Sequence, residues 1–301
     1  MYPAAFRYHR ARTLEEAAAI LAEVGDEARP LAGGQSLIPL MKLRFARPAL
    51  LVDLNWIPKL SDVEARDGTI RIGALARHAQ LAESEMLQPI TILHDCAAGI
   101  ADAQVRSRGS IGGSLAEADP SGDWAPVLLT LSAEIGIQGT RGQRTIPLAH
   151  FYKDAYTTAL QKGELVREVV VRIPARRSGG AYIAFKRSAS VYASASAAVQ
   201  ITMADRGTCE QAHIYLGCVG LVPVHAVAAE NELRGREVTK ERIRAAAEAA
   251  MEAAAPQSDM RGSAAYKKVL VSSLVKRAVE AAHRRSRGEQ VEVTHEYVGR
   301  I

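Results

Sequence analysis

Two short glycine-containing segments are the parts of this sequence whose residue types could bind a charged ligand. Residues 31–36 read LAGGQS, and residues 109–114 read GSIGGS. Glycine has no side chain to hold a ligand away from the main chain and tolerates positive φ, so successive N–H groups can converge on one anion. One Gly-Gly pair alone would indicate an ordinary turn. Two such pairs beside short polar side chains predict a diphosphate held from two sides.

The sequence carries neither of the common nucleotide-binding motifs and no evident metal site. It lacks a G-x-G-x-x-G that opens a helix ahead of a distal acid, and it lacks G-x-x-x-x-G-K-[ST]. Its three cysteines, Cys96, Cys209 and Cys218, form no C-x-x-C pair, and its eight histidines form no H-x-x-x-H pair. We therefore expect no metal on this chain. No acid–base pair or nucleophile stands out, so no residue is assigned a catalytic role.

The composition indicates a folded protein that does not bind nucleic acid and does not span a membrane. A chain of 301 residues, 48% of them hydrophobic, is long enough for two subdomains. The formal charge of +5 is modest and aromatic residues make up only 5%, whereas a nucleic-acid interface needs a clustered basic face. No apolar run approaches the ~20 residues of a membrane span, and the N-terminus lacks the apolar region of a secretory signal. We therefore expect a cytoplasmic protein.

Caps and hydrophobic periodicity predict the elements that must hold the two glycine segments. Thr13 to Glu16 predicts a capping box that starts a helix, and Gly25 is placed to end it. RRSGG at 176–180 is the candidate domain boundary, and the runs of strands followed by helices indicate an α+β fold. Further strands are predicted over 29–32, 49–54, 69–74, 133–138, 143–147, 164–174, 181–188, 195–204 and 211–218, and further helices over 77–84, 87–99, 122–131, 224–233, 239–254 and 264–286.

Long stretches around both glycine segments resemble a known flavoprotein family. RPLAGGQSLIPLMKLRFARPALLVDLN and RSRGSIGGSLAEADPSGDWAPVLLTLSAEI are similar to the FAD-binding subunit of the molybdenum hydroxylases, the xanthine dehydrogenase family. The likeness is closest to the medium subunit of the aerobic carbon monoxide dehydrogenases. It covers nearly the whole chain and includes FRYHRARTLEEA, AYIAFKRSASVYASASAAV and SDMRGSAAYKKVLVSSLVKRAVEAA.

The resemblance implies an α+β protein of two domains. The first, residues 1–175, is a two-part FAD-binding domain of the vanillyl-alcohol-oxidase (PCMH) type, with subdomains of about 1–54 and 55–175. The second, residues 176–288, is a C-terminal α+β domain with a three-stranded antiparallel sheet and helices. Residues 289–301 form a tail. Related reductases carry an extra cysteine-ligated cluster in this subunit, and the cysteines here do not match it.

The resemblance also implies which residues bind FAD. Residues 29–36 and 110–114 match the two diphosphate-binding loops. Asp123 matches an acidic position near FAD, Lys186 a lysine that contacts the flavin nucleotide, and Tyr192 a tyrosine beside the isoalloxazine ring. The implied set also contains two apolar contacts, and in full it is Arg29, Pro30, Leu31, Ala32, Gly33, Gly34, Gln35, Ser36, Ile100, Ser110, Ile111, Gly112, Gly113, Ser114, Asp123, Leu165 (or Val166, because the chain is two residues longer here), Lys186 and Tyr192.

Three of these residues also have a purely structural interpretation. Asp123 could cap the helix DWAPVLLTL, Lys186 could be a surface lysine on an edge strand, and Tyr192 could be ordinary packing. The chain also departs from its relatives, with Gln35 where they usually have histidine and SIGGS at 110–114 where they tend to have TIGGN. Both changes keep a hydrogen-bonding side chain, so we expect FAD binding to persist.

The function implied by the resemblance is electron transfer. The family divides catalysis among a large subunit with the molybdenum cofactor, a small subunit with two [2Fe-2S] clusters, and the FAD subunit. We expect this chain to accept electrons from the clusters and pass them to an external acceptor, within a complex that is a dimer of heterotrimers. Two alternatives stay open: a stand-alone FAD-dependent oxidoreductase of the same fold, and a flavin-binding scaffold without turnover.

Overall fold

The computed structural model describes residues 2–293 and 296–297. Its N-terminal part is a three-stranded parallel sheet in the order β1–β3–β2. The first helix begins where the capping sequence predicts, because the Thr13 side chain accepts a hydrogen bond from the N–H of Glu16 at 3.1 Å, and it ends at Gly25 with φ +67°. The elements are β1 (Arg7–Arg10), α1 (Leu14–Val24), β2 (Ala28–Leu31), α2 (Leu37–Lys42) and β3 (Leu50–Asp53).

The second part is built on a five-stranded antiparallel sheet in the order β4–β5–β10–β6–β7. Apolar side chains of its strands, such as Ile70, Ile72 and Val169, are fully buried and share one core with helices that follow β5. The elements are β4 (Val63–Arg66), β5 (Thr69–Gly73), α3 (His78–Glu83), α4 (Thr91–Gly99), α5 (Ala103–Arg108), α6 (Ile111–Glu117), α7 (Trp124–Thr130), β6 (Glu134–Gly139), β7 (Gly142–Pro147), β8 (Tyr152–Asp154), β9 (Thr157–Thr158) and β10 (Leu165–Arg172).

The third part has the expected antiparallel sheet of three long strands backed by helices. Two strands of two residues each extend this sheet at its edges. The alanine-rich helix packs closely because Ala246, Ala247 and Ala250 are fully buried. The elements are β11 (Ser178–Lys186), β12 (Ala195–Met203), β13 (Cys209–Gly217), β14 (Val224–His225), α8 (Val227–Leu233), α9 (Lys240–Ala253), α10 (Ala264–Ser286) and β15 (Glu296–Tyr297). Of the predicted tail, residues 294–295 and 298–301 lie outside the described residues.

The glycines of the predicted boundary serve packing. Gly179 and Gly180 lie inside β11 instead of in a linker, and a Cβ on Gly179 would come within 2.1 Å of the carbonyl oxygen of Ala282 in α10. The same region carries a buried ion pair, in which Arg285 contacts Asp95 of α4 at 2.5 Å and donates to the Gly180 carbonyl at 2.7 Å. Strand β11 is therefore fixed between α10 and α4, which brings its last residue, Lys186, beside the N-terminal half of the chain.

Candidate functional site

A cavity of about 730 Å³ lies where the glycine segments meet the end of β11. Of the residues that the sequence nominates, all line this cavity except Leu31 and Ile111. Leu31 ends β2, and its carbonyl oxygen accepts a hydrogen bond from the N–H of Leu54 at 3.0 Å. Ile111 is fully buried in the core beneath the cavity. These two residues support the walls, and the others face one enclosed space.

The first glycine segment is a true loop between β2 and α2. Gly34 has φ +73°, a conformation that residues with a side chain rarely adopt. Within the described part of the chain, the main-chain N–H groups of residues 32–36 make no hydrogen bond. The opposite side of the loop is fixed, because the Asn55 side chain donates to the carbonyl oxygen of Ala32 at 3.0 Å. The loop therefore lines the cavity with main-chain N–H groups that no carbonyl oxygen of the described residues has taken.

The second glycine segment differs from its prediction, because it is the start of helix α6 and not a loop. The N–H groups of Ile111 and Gly112 are already used, since they donate to the carbonyl oxygens of Ala76 at 3.1 Å and Ala74 at 2.8 Å. Neither Gly112 nor Gly113 has a positive φ. Gly112 is needed for space, because a Cβ there would lie 2.5 Å from the Cβ of Ala74. The second segment therefore offers fewer free amides than the predicted loop, because those of Ile111 and Gly112 are already paired.

The two segments pack directly against each other. A Cβ on Gly33 would lie 2.1 Å from the carbonyl oxygen of Arg108, next to the second segment. Arg77 holds the contact, since its guanidinium donates to that same carbonyl oxygen at 2.6 Å and to the side chain of Asn55. The donors of the first segment and the side chains of the second are thus brought to one wall of the cavity.

A buried polar cluster closes the end of the cavity at β11. The Lys186 ammonium is 1% exposed, donates to the carbonyl oxygen of Gly99 at 2.8 Å and lies 3.4 Å from the Asp123 carboxylate. Asp123 also accepts a hydrogen bond from the Tyr182 hydroxyl at 2.5 Å. Burial, with the Asp123 charge beside it, raises the pKa of Tyr182 well above its ordinary value, so this phenol stays a donor.

This cluster excludes two of the structural interpretations. Asp123 precedes α7, but its side chain caps no N–H group of that helix. Lys186 is buried beside the cavity, so it is not a surface lysine. A positive charge that is held by one carboxylate at the edge of a cavity can also attract a phosphate or a carbonyl oxygen of a ligand.

Apolar and aromatic side chains line the rest of the cavity. Ile100 and Leu165 are buried in its wall, and Val166 lines it as well. Tyr192 lies at the mouth and is 48% exposed, with Tyr156 on the same rim. Such a wall suits a flat aromatic ring system, because apolar and aromatic side chains provide area while a few polar groups set orientation.

His78 lines the cavity without having been nominated from the sequence. The indole N–H of Trp124 donates to its Nδ1 at 3.1 Å. Burial lowers the pKa of His78 to about 4, although the Asp123 charge opposes this shift, so the imidazole is neutral near pH 7. The sequence offers one indication of this role. His78 lies at the start of the helix predicted after the strand at 69–74, and ligand sites are common where a strand is followed by a helix.

The cavity fits a bound dinucleotide. Its volume lies within the ~300–1,000 Å³ that small-molecule sites occupy. The Ser110 hydroxyl is buried against the cavity and has no hydrogen-bond partner among the described residues. Side-chain groups of this kind are normally paired, so an acceptor from a ligand is expected here. The loop amides and this hydroxyl are donors of the kind that a diphosphate needs, and the Lys186 ammonium adds a positive charge at the β11 end of the cavity.

Within the described residues, no group of three or more His, Cys, Asp or Glu side chains is arranged to hold a metal ion. None of the described helices combines the length and the apolar character that a membrane crossing requires.

Comparison with known proteins gives two adjacent family matches. Residues 4–176 match the FAD binding domain in molybdopterin dehydrogenase. Residues 180–282 match the CO dehydrogenase flavoprotein C-terminal domain. The junction between the matches falls at 177–179, at the start of β11.

Individual relatives agree with these matches. The chain is 38% identical to the 6-hydroxypseudooxynicotine dehydrogenase complex subunit alpha of Paenarthrobacter nicotinovorans, over 98% of this chain and all of that one. It is 37% identical to the carbon monoxide dehydrogenase medium chain of Hydrogenophaga pseudoflava, over 94% and 98% of the two chains. A solved structure of the carbon monoxide dehydrogenase of that organism, which lacks the Mo-pyranopterin moiety of the molybdenum cofactor, superposes with a TM-score of 0.92 at 39% identity, over 95% and 99%.

Proposed function

The chain belongs to the family of FAD-binding medium subunits of molybdenum hydroxylases, and from that premise we propose that it transfers electrons from [2Fe-2S] clusters of a small subunit to an external acceptor. Its cofactor is FAD, and its relatives are dehydrogenase subunits, so it is an oxidoreductase subunit. The organic or inorganic substrate is oxidised on the partner that holds the molybdenum cofactor.

One observation supports this proposal above the others. The free amides of residues 32–36, the unpaired Ser110 hydroxyl and the Lys186 ammonium all face the same cavity of about 730 Å³. These are groups for binding and orienting a cofactor. When bound, FAD supplies reversible one- and two-electron redox chemistry.

The residues of this chain would divide that binding between them. The loop amides and Ser110 would hold the diphosphate. At the far end of the cavity the Lys186 ammonium provides a positive charge, which the Asp123 carboxylate balances. Ile100, Leu165 and their neighbours exclude water from the ring system. Tyr192 at the mouth covers the outer edge and leaves a path for an acceptor.

The relatives support the partners that we propose. The proteins matched are named as a medium chain and as one subunit of a dehydrogenase complex. We infer a large subunit with the molybdenum cofactor and a small subunit with [2Fe-2S] clusters, assembled as a dimer of heterotrimers. The cytoplasmic location stays a prediction.

The proposal is tested on the complex as it is purified with its co-expressed neighbours. We expect one FAD per copy of this chain, together with iron and molybdenum in the other chains. Oxygen-free addition of carbon monoxide, a purine, an N-heterocycle or an aldehyde should bleach the flavin absorbance for at least one donor. Oxygen, a quinone and NAD are then compared as agents that restore it.

Two matched variants test whether FAD binds in this cavity. Lys186→Met should lower FAD content by at least tenfold, because it removes a buried cation of the cavity and leaves the Asp123 carboxylate without a neutralising charge. Lys153→Met changes an exposed lysine and should leave FAD content unchanged. Colourless protein without releasable FAD would refute the proposal. Turnover of an alcohol by the single chain would favour a stand-alone oxidoreductase, and FAD that no donor reduces in the complete complex would favour a scaffold.

A further inference from the structure

We infer that His78 is an additional FAD-binding residue, which donates a hydrogen bond from Nε2–H to the diphosphate–ribityl part of the cofactor. This inference rests on the proposed function, because it takes the cavity to be the FAD site. His78 belongs to neither glycine segment, and the sequence assigned it no role. Three features of its surroundings carry the inference: a fixed tautomer, the place of its outer ring edge, and an unpaired neighbour.

The tautomer of His78 is fixed by Trp124. An indole N–H can only donate, so the Nδ1 that it contacts at 3.1 Å must be the acceptor. The proton of the neutral imidazole is therefore on Nε2. Trp124 is fully buried at the first position of α7, and the two rings are tilted by 38°, so the indole has little freedom to leave this contact.

The Nε2 edge of the ring lies at the second glycine segment. A Cβ on Gly109 would be 2.7 Å from both Nε2 and Cδ2 of His78. The main-chain N–H of His78 donates to the carbonyl oxygen of Gly109 at 3.1 Å, which fixes the backbone on the same side. His78 is 5% exposed, and it lines the cavity. Its Nε2 edge thus lies next to the segment that carries Ser110.

The donor has no acceptor within the part of the chain that the structure describes. The one hydrogen bond of the His78 ring there is the contact with Trp124. The Ser110 hydroxyl beside it is also unpaired. Leaving a buried hydroxyl such as that of Ser110 unpaired costs about 1–3 kcal/mol, and an imidazole N–H without a protein acceptor on the same wall indicates a ligand with oxygen acceptors.

The part of FAD that meets His78 follows from the loop opposite. A Cβ on Gly33 would lie 2.9 Å from the Cα of Gly109, and Gly109 also lies next to the Nε2 edge, so the free amides of residues 32–36 begin close to that edge. The diphosphate is the group that those amides attract. The Nε2–H of His78, which lies beside Gly109, would therefore reach a phosphate oxygen or the nearest ribityl hydroxyl, and not the aromatic ring near Tyr192.

A neutral imidazole suits this place. Burial is the main cause of the low pKa of His78, and the positive charges of Arg77 and Arg106 lower the pKa further while Asp123 raises it. Arg77 already supplies a positive charge near this wall. The proton on Nε2 is retained between about pH 5.5 and 8, so FAD affinity should not change through titration of His78 in this range.

The test uses the FAD-containing protein as purified, with any chains that co-purify, and measures the dissociation constant of FAD after removal and reconstitution. His78→Leu removes the donor and should weaken FAD binding about 10- to 100-fold, or about 1.4–2.8 kcal/mol. His78→Gln places an amide N–H near the former Nε2 and should stay within about threefold of the wild type. His94→Leu alters an exposed histidine and should have no effect.

Two results would overturn the inference. His78→Leu with wild-type affinity would show that no bond is made, and His78→Gln as weak as His78→Leu would show that only ring shape matters. Thermal unfolding of each variant reports folding, and if His78→Leu does not fold, Trp124→Phe replaces it. That variant frees the tautomer and should weaken binding about three- to tenfold, so unchanged affinity overturns the inference as well. FAD-free wild-type protein would instead refute the proposed function.

Discussion

The two glycine segments look alike in sequence and do different things in the structure. The first keeps its amides free over residues 32–36 and bends at Gly34 with φ +73°. The second is helical, and its amides at Ile111 and Gly112 already donate to Ala76 and Ala74. The first segment therefore supplies donors. The second supplies close packing and one unpaired side chain, that of Ser110.

This difference shows that a Gly-Gly pair indicates close contact with the main chain. It does not identify whether a ligand or another part of the protein makes that contact. At Gly34 a positive φ accounts for the missing side chain, whereas at Gly112 the neighbouring strand end accounts for it. Main-chain donors bind an anion only when no carbonyl oxygen of the protein has already taken them. The same substitution should thus be detected by different measurements in the two segments.

Gly112→Ala should have the largest effect, and it should act on folding. The added Cβ would lie 2.5 Å from the Cβ and 2.8 Å from the Cα of Ala74, and backbone cannot move aside cheaply. We expect the free energy of unfolding of the FAD-free protein to fall by about 3 kcal/mol, measured by urea denaturation.

Gly113→Ala is the matched control for that change. Its Cβ meets chiefly the rotatable Ser110 hydroxyl, at 2.9 Å, and alanine is the better helix former by about 1 kcal/mol. The unfolding free energy should therefore change by less than about 1 kcal/mol. Equal losses in both variants would contradict the assignment of Gly112 to packing against Ala74.

Gly34→Ala should have an intermediate effect, and it should act on FAD binding. A side chain at φ +73° costs about 1–2 kcal/mol, so the loop relaxes and its amides turn away from the diphosphate. We expect about a tenfold loss of FAD affinity by reconstitution titration. Gly207→Ala is the control, because Gly207 has φ +83° in an open turn, so it should destabilise the protein similarly and leave FAD affinity unchanged.

Ser110→Ala should have the smallest effect and separates the side chain from the backbone of the second segment. It removes one hydrogen bond to FAD, so affinity should fall about three- to tenfold, measured by the same titration. The FAD-free protein should be as stable as the wild type or more so, since an unpaired buried hydroxyl is lost. Ser196→Ala, which removes another unpaired buried hydroxyl in β12, should leave FAD binding intact. A loss of affinity in both variants would count against a direct contact.

Much of the candidate site could be predicted from the sequence, because its residues lie in or beside segments that resemble a known family. Lys186 and Asp123 follow from the flanking sequence, but their mutual contact at 3.4 Å and their burial do not. His78 and Arg77 were missed, since they precede the second glycine segment by about thirty positions and belong to no motif. Pairing at this distance depends on how helices α3 to α7 pack, and no local pattern encodes it.

Local interactions let the sequence alone determine the helices that have caps or a clear period, whereas the short helices α2, α5 and α6 were not predicted. The predicted helix over 264–286 is Ala264–Ser286 in the structure, and α1 starts and ends at the predicted Thr13 and Gly25, because caps and periodicity involve neighbours in the chain. Tertiary structure decided which glycine amides stay free, which polar groups are buried, and which tautomer His78 adopts. Those outcomes depend on contacts such as Trp124 with His78, between residues that only packing brings together.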